Sequence, residues 1–148
     1  MLRLHSEKLR EEWLDIYGHM NEAYYLVVAS NATWALQDYL DLGSAYSEVA
    51  RCGLYTVESH LRYLADIHSP AQIDVESGLF AFDRKRIHIG HILKVDGKEC
   101  ATVECTLLHV NMDTGRTEPF AEQAFATLAA TPTVALPTWS GSRVSLVR

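Results

Sequence analysis

Asp15, Gly18, His19 and Asn21 fall within seven residues, Asp-Ile-Tyr-Gly-His-Met-Asn, immediately before a long apolar segment. A loop that feeds a helix N-terminus sets polar side chains beside free backbone amides. Those amides carry partial positive charge and suit a developing oxyanion. Asp15 has the chemistry to activate water or to attack a carbonyl itself. Gly18 lets backbone approach a substrate closely. Plainer roles fit the same residues: Asp15 closing a turn, and Asn21 capping the helix. The residue types alone leave both sets open.

Other chemistries find no support. There is no GxSxG elbow, no GxxxxGK[ST] and no GxGxxG. His88-x-x-His91 has the look of a metal pair, but on a strand residues three apart face opposite sides, so no metal site is expected. Cys52, Cys100 and Cys105 are an odd number without a CxxC. On one strand Cys100 and Cys105 would stand about 17 Å apart and on opposite faces. Reduced thiols and a cytoplasmic location are the expectation.

The elements that must position the loop are legible from periodicity. Residues 2–14 read as an exposed or edge strand. Asn21 opens a helix over 22–42, with Gly43 placed for a left-handed C-cap. Its apolar positions (Tyr25, Val28, Ala32, Ala35, Tyr39) leave only a narrow polar stripe, so the helix should be largely enclosed. The period then changes to two over 55–64 and 72–82. Residues 86–95 and 98–111 flank Asp96-Gly97, a hairpin turn that pairs Lys94 with Glu99. Residues 117–130 are expected to form a short helix, opened by Thr117 and Pro119. Pro132 and Pro137 break up the remainder. The expected fold class is α+β: a domain over residues 1–130, with a long helix against an antiparallel sheet, and an irregular tail over 131–148. Open sheet edges predict pairing with a second copy.

The length of 148 residues suits one domain, at roughly 100–200 residues each. The composition, 48% hydrophobic and 22% charged, is that of a globular chain with a core of its own. A net charge of −6 argues against a nucleic-acid or anionic-membrane partner. Residues 1–13 contain no apolar stretch, which predicts no signal peptide. No apolar run approaches the ~20 residues of a membrane helix.

Asp15-x-x-Gly18-His19-Met20-Asn21 ahead of an aromatic-rich helix resembles the hot-dog-fold acyl-CoA thioesterases of the 4-hydroxybenzoyl-CoA thioesterase type. Glu58-Ser-His60-Leu-Arg-Tyr63-Leu and Leu107-Leu-His-Val110 match strand stretches of the same family. The resemblance runs over residues ~4–120. It implies a central helix wrapped by a curved antiparallel sheet, and a homodimer or dimer of dimers with sites at subunit interfaces. It carries the catalytic carboxylate to Asp15, and the thioester-polarising amide to the Gly18–His19 region. Asn21 matches a polar position that holds the loop. Glu22 departs from the family, where a second Asn is common.

Within the family, Tyr55-Thr-Val-Glu58-Ser-His60 and Arg84-Lys85-Arg86-Ile-His88 are most similar to thioesterases of carnitine breakdown, which act on betainyl-CoA. A quaternary ammonium is held by aromatic faces and carboxylates. Tyr17, Tyr24, Tyr25, Glu58, His60 and Tyr63 are the substrate-binding candidates this implies, with Trp13 and Trp34 as further rings. Arg84, Lys85 and Arg86 form the only run of three basic residues, a candidate contact for the phosphates of coenzyme A. CoA enters as part of the substrate, and no separate cofactor is expected. A hot-dog dehydratase and a non-catalytic acyl-CoA or acyl-carrier binder are the alternatives.

Overall fold

A computed structural model describes residues 1–144. The chain runs β1 (Leu2–Lys8), a 3-10 turn (Glu11–Trp13), α1 (Glu22–Tyr39), α2 (Ser44–Ala50), β2 (Cys52–Tyr63), β3 (Gln72–Phe82), β4 (Arg86–Val95), β5 (Lys98–Asn111) and α3 (Glu122–Ala130). The strands form one antiparallel sheet in the order β1-β3-β4-β5-β2. β1 is an edge strand, as its charges foretell. The opposite edge is β2, a twelve-residue strand that pairs with β5 alone among the described residues.

The core lies between α1 and one face of the sheet. Tyr25, Val28, Ala29, Ala32 and Leu36 form the buried stripe of the helix, at helical spacing. They meet Val75, Leu79, Ile89, Leu93, Val103 and Leu107 from the strands. One buried polar knot ties these layers together. His91 on β4 bonds Thr33 Oγ1 of α1 at 2.9 Å and Ser77 Oγ of β3 at 2.8 Å. Burial pushes its imidazole pKa down to about 4.

Asp96 and Gly97 both have positive φ, and the hairpin register pairs Lys94 with Glu99 as the turn predicts. The Lys94 ammonium, however, pairs with Glu76 on β3 at 2.8 Å.

Several expectations are corrected. The helix ends at Tyr39 rather than 42, and Asp41 (φ +57°) takes the left-handed position expected of Gly43. Gly43 instead precedes α2, where a Cβ would collide with the Asp38 carboxylate. α2 is short and buries no side chain, so it leaves no periodic signal. Among the described residues only one face of α1 is covered; Leu26, Val27, Trp34 and Tyr39 are exposed on the others. The strand expected over 2–14 stops at Lys8. The last helix starts at Glu122, after the chain from 117 has been held by backbone bonds to β5 and to Arg84.

Residues 131–144 contain no helix or strand, yet they are fastened to the outer face of the sheet. Val134 N donates to Leu79 O, and Trp139 packs edge-on against Phe80. Gly78 and Gly90 face each other across β3 and β4 and make room for this strap. A Cβ on Gly90 would come within 2.4 Å of the Phe80 ring and 2.9 Å of Trp139. The last four residues of the expected tail, 145–148, lie outside the described residues.

Candidate active site

The loop between the 3-10 turn and α1 is closed by its own polar groups. Asp15 Oδ1 accepts from Tyr17 N at 2.8 Å and from His19 N at 3.3 Å. Asp15 N donates to His19 O, and Gly18 N donates to Asp15 O at 3.0 Å. Gly18 has φ +77°, which a side chain would resist. Met20 N then donates to Ile67 O, and Asn21 N to Trp13 O, docking the loop on its neighbours. Asn21 caps α1, its side-chain oxygen accepting from Ala23 N at 3.1 Å.

Asp15 therefore closes the turn with one oxygen and leaves the other, Oδ2, without a partner among the described residues. The residue is half-buried. A carboxylate anchored on one oxygen and open on the other is positioned to hold or deprotonate a water molecule. The amides of Tyr17, Gly18 and His19 all turn inward onto Asp15. The His19 N–H makes the longest of these bonds and is the one a substrate carbonyl would most readily take over.

Three aromatic pairs flank the loop. Tyr24 stacks on Trp13 with centroids 5.2 Å apart, and Arg10 lies over the far ring at 4.9 Å. Tyr25 and Tyr63 meet edge to face at 5.1 Å, and Tyr63 Oη donates to Glu22 O. Burial raises the Tyr25 hydroxyl to about 12. Tyr17 projects into solvent beside His19. Trp34 does not belong here. It lies further along α1 in a groove with Leu54, Tyr55 and Met112.

Glu58 and His60 stand apart from the loop. They line a cavity of about 350 Å³ with His88, Glu104, Thr106 and the strap residues Gly141–Arg143. Burial alone would raise the Glu104 carboxyl, but donors from Ser140, Gly141 and His88 outweigh it and hold the group low.

The basic run lies at the far end of the sheet. Arg86 opens β4 opposite Leu108, whereas the loop end is marked by Tyr63 opposite Ala101. Along β5 these points are about 23 Å apart at 3.3 Å per residue. Arg86 is held by Asp83, whose carboxyl its guanidinium keeps below the usual range. Arg84 pairs with Glu122 at 2.9 Å and covers the Phe125 ring at 4.1 Å. Lys85 is the cation of the three without an ion pair among the described residues. One chain thus brings together Asp15, Tyr17, Gly18, His19, Asn21, Tyr24, Tyr25 and Tyr63, and separates them from Glu58, His60 and Arg84–Arg86.

One feature beside the loop leaves no local signal in the sequence. His19 makes an isolated β-bridge with His68, their rings meet edge to face at 4.6 Å, and Asp66 joins them. Asp66-x-His68 shows the spacing of a shared strand face, but nothing in the sequence links it to His19.

The thioesterase-like superfamily matches residues 9–128. The chain is 36% identical over 132 residues to the betainyl-CoA thioesterase of Pseudomonas aeruginosa, covering 88% of this chain and 83% of that protein. It is 39% identical over 151 residues to the L-carnitine dehydrogenase/betainyl-CoA thioesterase of Agrobacterium fabrum. That alignment covers 99% of this chain but spans only 31% of the longer relative. Among solved structures, a Staphylococcus aureus protein in complex with CoA superposes with a TM-score of 0.87 at 23% identity, covering 99% of this chain and 98% of that one. The DHNA-CoA thioesterase of the same organism superposes at 0.76 and 16% identity, with coverages of 85% and 89%. These likenesses show the hot-dog fold.

Proposed function

We propose that this chain, which belongs to the thioesterase-like superfamily, hydrolyses an acyl-CoA thioester at the Asp15 loop, with betainyl-CoA as substrate. The observation that carries the activity is the Asp15 carboxylate, fixed through Oδ1 and open at Oδ2 beside the start of α1. The substrate assignment rests on the P. aeruginosa relative, whose length the chain nearly spans.

Asp15 Oδ2 takes a proton from water as the oxygen attacks the thioester carbon, or itself attacks to give a mixed anhydride that water then opens. The carbonyl oxygen gains charge near the α1 N-terminus, with the His19 N–H as donor. The C–S bond breaks, and the CoA sulfur leaves with the proton. The trimethylammonium head lies against the rings of Tyr17, Tyr24 and Tyr63, where its charge is stabilised by aromatic faces; Tyr25, expected to share this role, is buried in the core behind Tyr63 and supports that ring instead.

The separation of the loop from Glu58, His60 and the basic run is resolved by a second copy. Two β2 edges paired antiparallel about a two-fold axis set the Tyr63 end of one chain beside the Cys52 end of the other. The basic turn of that second copy, led by Lys85, then approaches the loop and receives the CoA phosphates, while Glu58 and His60 lie near the seam. A homodimer is the smallest assembly with a complete site. Three free, buried cysteines fit a reducing cytoplasm, and no described helix is long and apolar enough to cross a membrane. The catalytic domain is taken as residues 1–130, with 131–148 as its tail.

The test is CoA release from a panel of acyl-CoAs that includes betainyl-CoA, for the wild type and Asp15→Asn. Turnover that favours betainyl-CoA and collapses in the variant is the expected result. Equal rates on betainyl-CoA and plain short acyl-CoAs would refute the substrate. Silence on the whole panel, with saturable acyl-CoA binding in both proteins, would refute hydrolysis.

A further inference from the structure

We propose that His19, Asp66 and His68 bind a divalent transition-metal ion, with zinc(II) as the reference case, and that the ion clasps the Asp15 loop to the segment joining β2 and β3. One ligand atom from each side chain lies within 4.8 Å of the other two. A zinc ion with bonds of about 2.0–2.2 Å draws its ligand atoms to within roughly 3.5 Å of one another. Rotation of exposed side chains covers the difference, and Asp66 and His68 are exposed. The backbone beneath needs no adjustment. Met20 N donates to Ile67 O at 2.8 Å, and the His19–His68 bridge already sets the two histidines side by side. Asp66 and His68 are two apart in the segment between β2 and β3, and their ligand atoms converge with that of His19.

Four of the other five histidines are engaged within the fold, and His60 is not among the converging groups. His91 has both ring nitrogens bonded within the core. His109 bonds Tyr46 Oη and Glu118 O, His88 bonds Glu104, and His5 bonds Glu7. The ring nitrogens of His19 and His68 and the Asp66 carboxylate have no hydrogen-bond partner among the described residues, although they converge. Two imidazoles and a carboxylate are a borderline donor set that favours zinc and its first-row neighbours over magnesium or calcium. Three protein ligands leave a coordination position for water. The carboxylate offsets part of the dication's charge.

The ion would add coordination bonds between two segments that already meet through backbone bonds and the edge-to-face contact of the two imidazoles. Because the loop carries Asp15, occupancy stiffens the segment that holds the proposed catalytic carboxylate. This consequence rests on the function proposed above, but ion binding does not.

The test is titration of zinc(II) into the full chain, in the oligomer it forms, against a chromophoric chelator and with no substrate present. Wild type is expected to take up one ion per chain with a dissociation constant below on the order of 100 µM. Its melting midpoint should rise with the ion. Cobalt(II) should give visible absorption bands of a four- or five-coordinate site. His68→Ala and Asp66→Asn, both exposed changes, should each weaken binding at least tenfold and abolish the bands and the thermal shift. His60→Ala, which removes another open imidazole, should leave the titration unchanged. Unsaturable binding over this range, or affinity that survives His68→Ala or Asp66→Asn, overturns the proposal, as does loss of the ion in His60→Ala. Because no arm reads turnover, failure here is distinguishable from failure of the thioesterase assignment.

Discussion

His91 and the Asp15 loop are two polar regions served by the same helix. At His91, α1 offers Thr33, β3 offers Ser77, and every polar atom of the knot finds a partner inside the chain. At the loop, α1 offers its N-terminus, and Asp15, His19 and the Tyr17 ring keep groups turned outward. The difference follows from water. A buried polar group without a partner costs roughly 1–3 kcal/mol, so the core closes its own bonds, whereas a rim can leave them open for a ligand. The His91 knot should therefore carry stability and the loop chemistry.

Asp15→Asn applies the strongest pressure to that division. The asparagine keeps an oxygen for the Tyr17 and His19 amides but cannot take a proton. Turnover should fall by about 10²–10⁴, while the urea midpoint stays near the wild-type value. A drop in stability matching the drop in rate would make the loop scaffold rather than site.

His91→Leu should do the reverse. It leaves Ser77 Oγ unpartnered, although Thr33 retains its bond to Ala29 O at 2.9 Å. The expected loss is about 2 kcal/mol in urea unfolding, with the rate per folded molecule within a few-fold of wild type. The pH dependence gives a second reading. The folded pKa of His91 is about 4, below the ordinary 6.5. Between those values the unfolded chain binds the extra proton, so stability falls as pH drops from 6.5 toward 4, by up to about 1.4 kcal/mol per pH unit. The contribution is fully present above pH 6.5. Parallel unfolding curves of wild type and His91→Leu across this window would sever the knot from acid sensitivity.

The two regions were also unequally legible in the sequence. The loop announced itself, because Asp15, Gly18 and Asn21 are local in the chain and their cap and turn chemistry is short-range. The hairpin at Asp96-Gly97 was legible for the same reason. In the sequence His91 shows only that it cannot pair with His88; its partners come from 58 and 14 residues away. The same limit hid the His19–Asp66–His68 cluster, α2 with its missing period, and the strap, whose contacts depend on glycines on the outer sheet face. The basic run was visible as composition, but not the ion pairs that occupy Arg84 and Arg86.

A pair of glycine substitutions sharpens the comparison at smaller scale. Gly90→Ala sets a methyl group against the Phe80 ring and Trp139, where a Cβ would stand 2.4 and 2.9 Å from them. Overpacking of this kind costs about 2 kcal/mol where the neighbours cannot yield. The strap can partly lift, so Trp139 should become more exposed, read as quenching by a soluble agent. Unchanged stability and quenching would show that the strap is not seated by the glycine pair.

Gly18→Ala tests the opposite case. Among the described residues nothing lies within 4 Å of the position its methyl group would take, so packing is not at issue. What remains is the backbone. Gly18 sits at φ +77°, and an alanine held there costs about 1 kcal/mol. That is less than the overpacking at Gly90, yet it falls in the turn that aims Asp15 and the His19 amide. If the alanine relaxes toward negative φ, the Gly18 N–H to Asp15 O bond opens and the carboxylate shifts. The rate should then drop further than the stability change implies, most clearly in kcat rather than KM, since the groups moved act on the carbonyl and not on the bound coenzyme. Gly90→Ala should show the converse, a larger loss of stability with turnover of the folded fraction unchanged. Equal effects of the two alanines on rate and stability would mean that the core and the loop are one cooperative unit, and the division of labour drawn from His91 and Asp15 would fall with it.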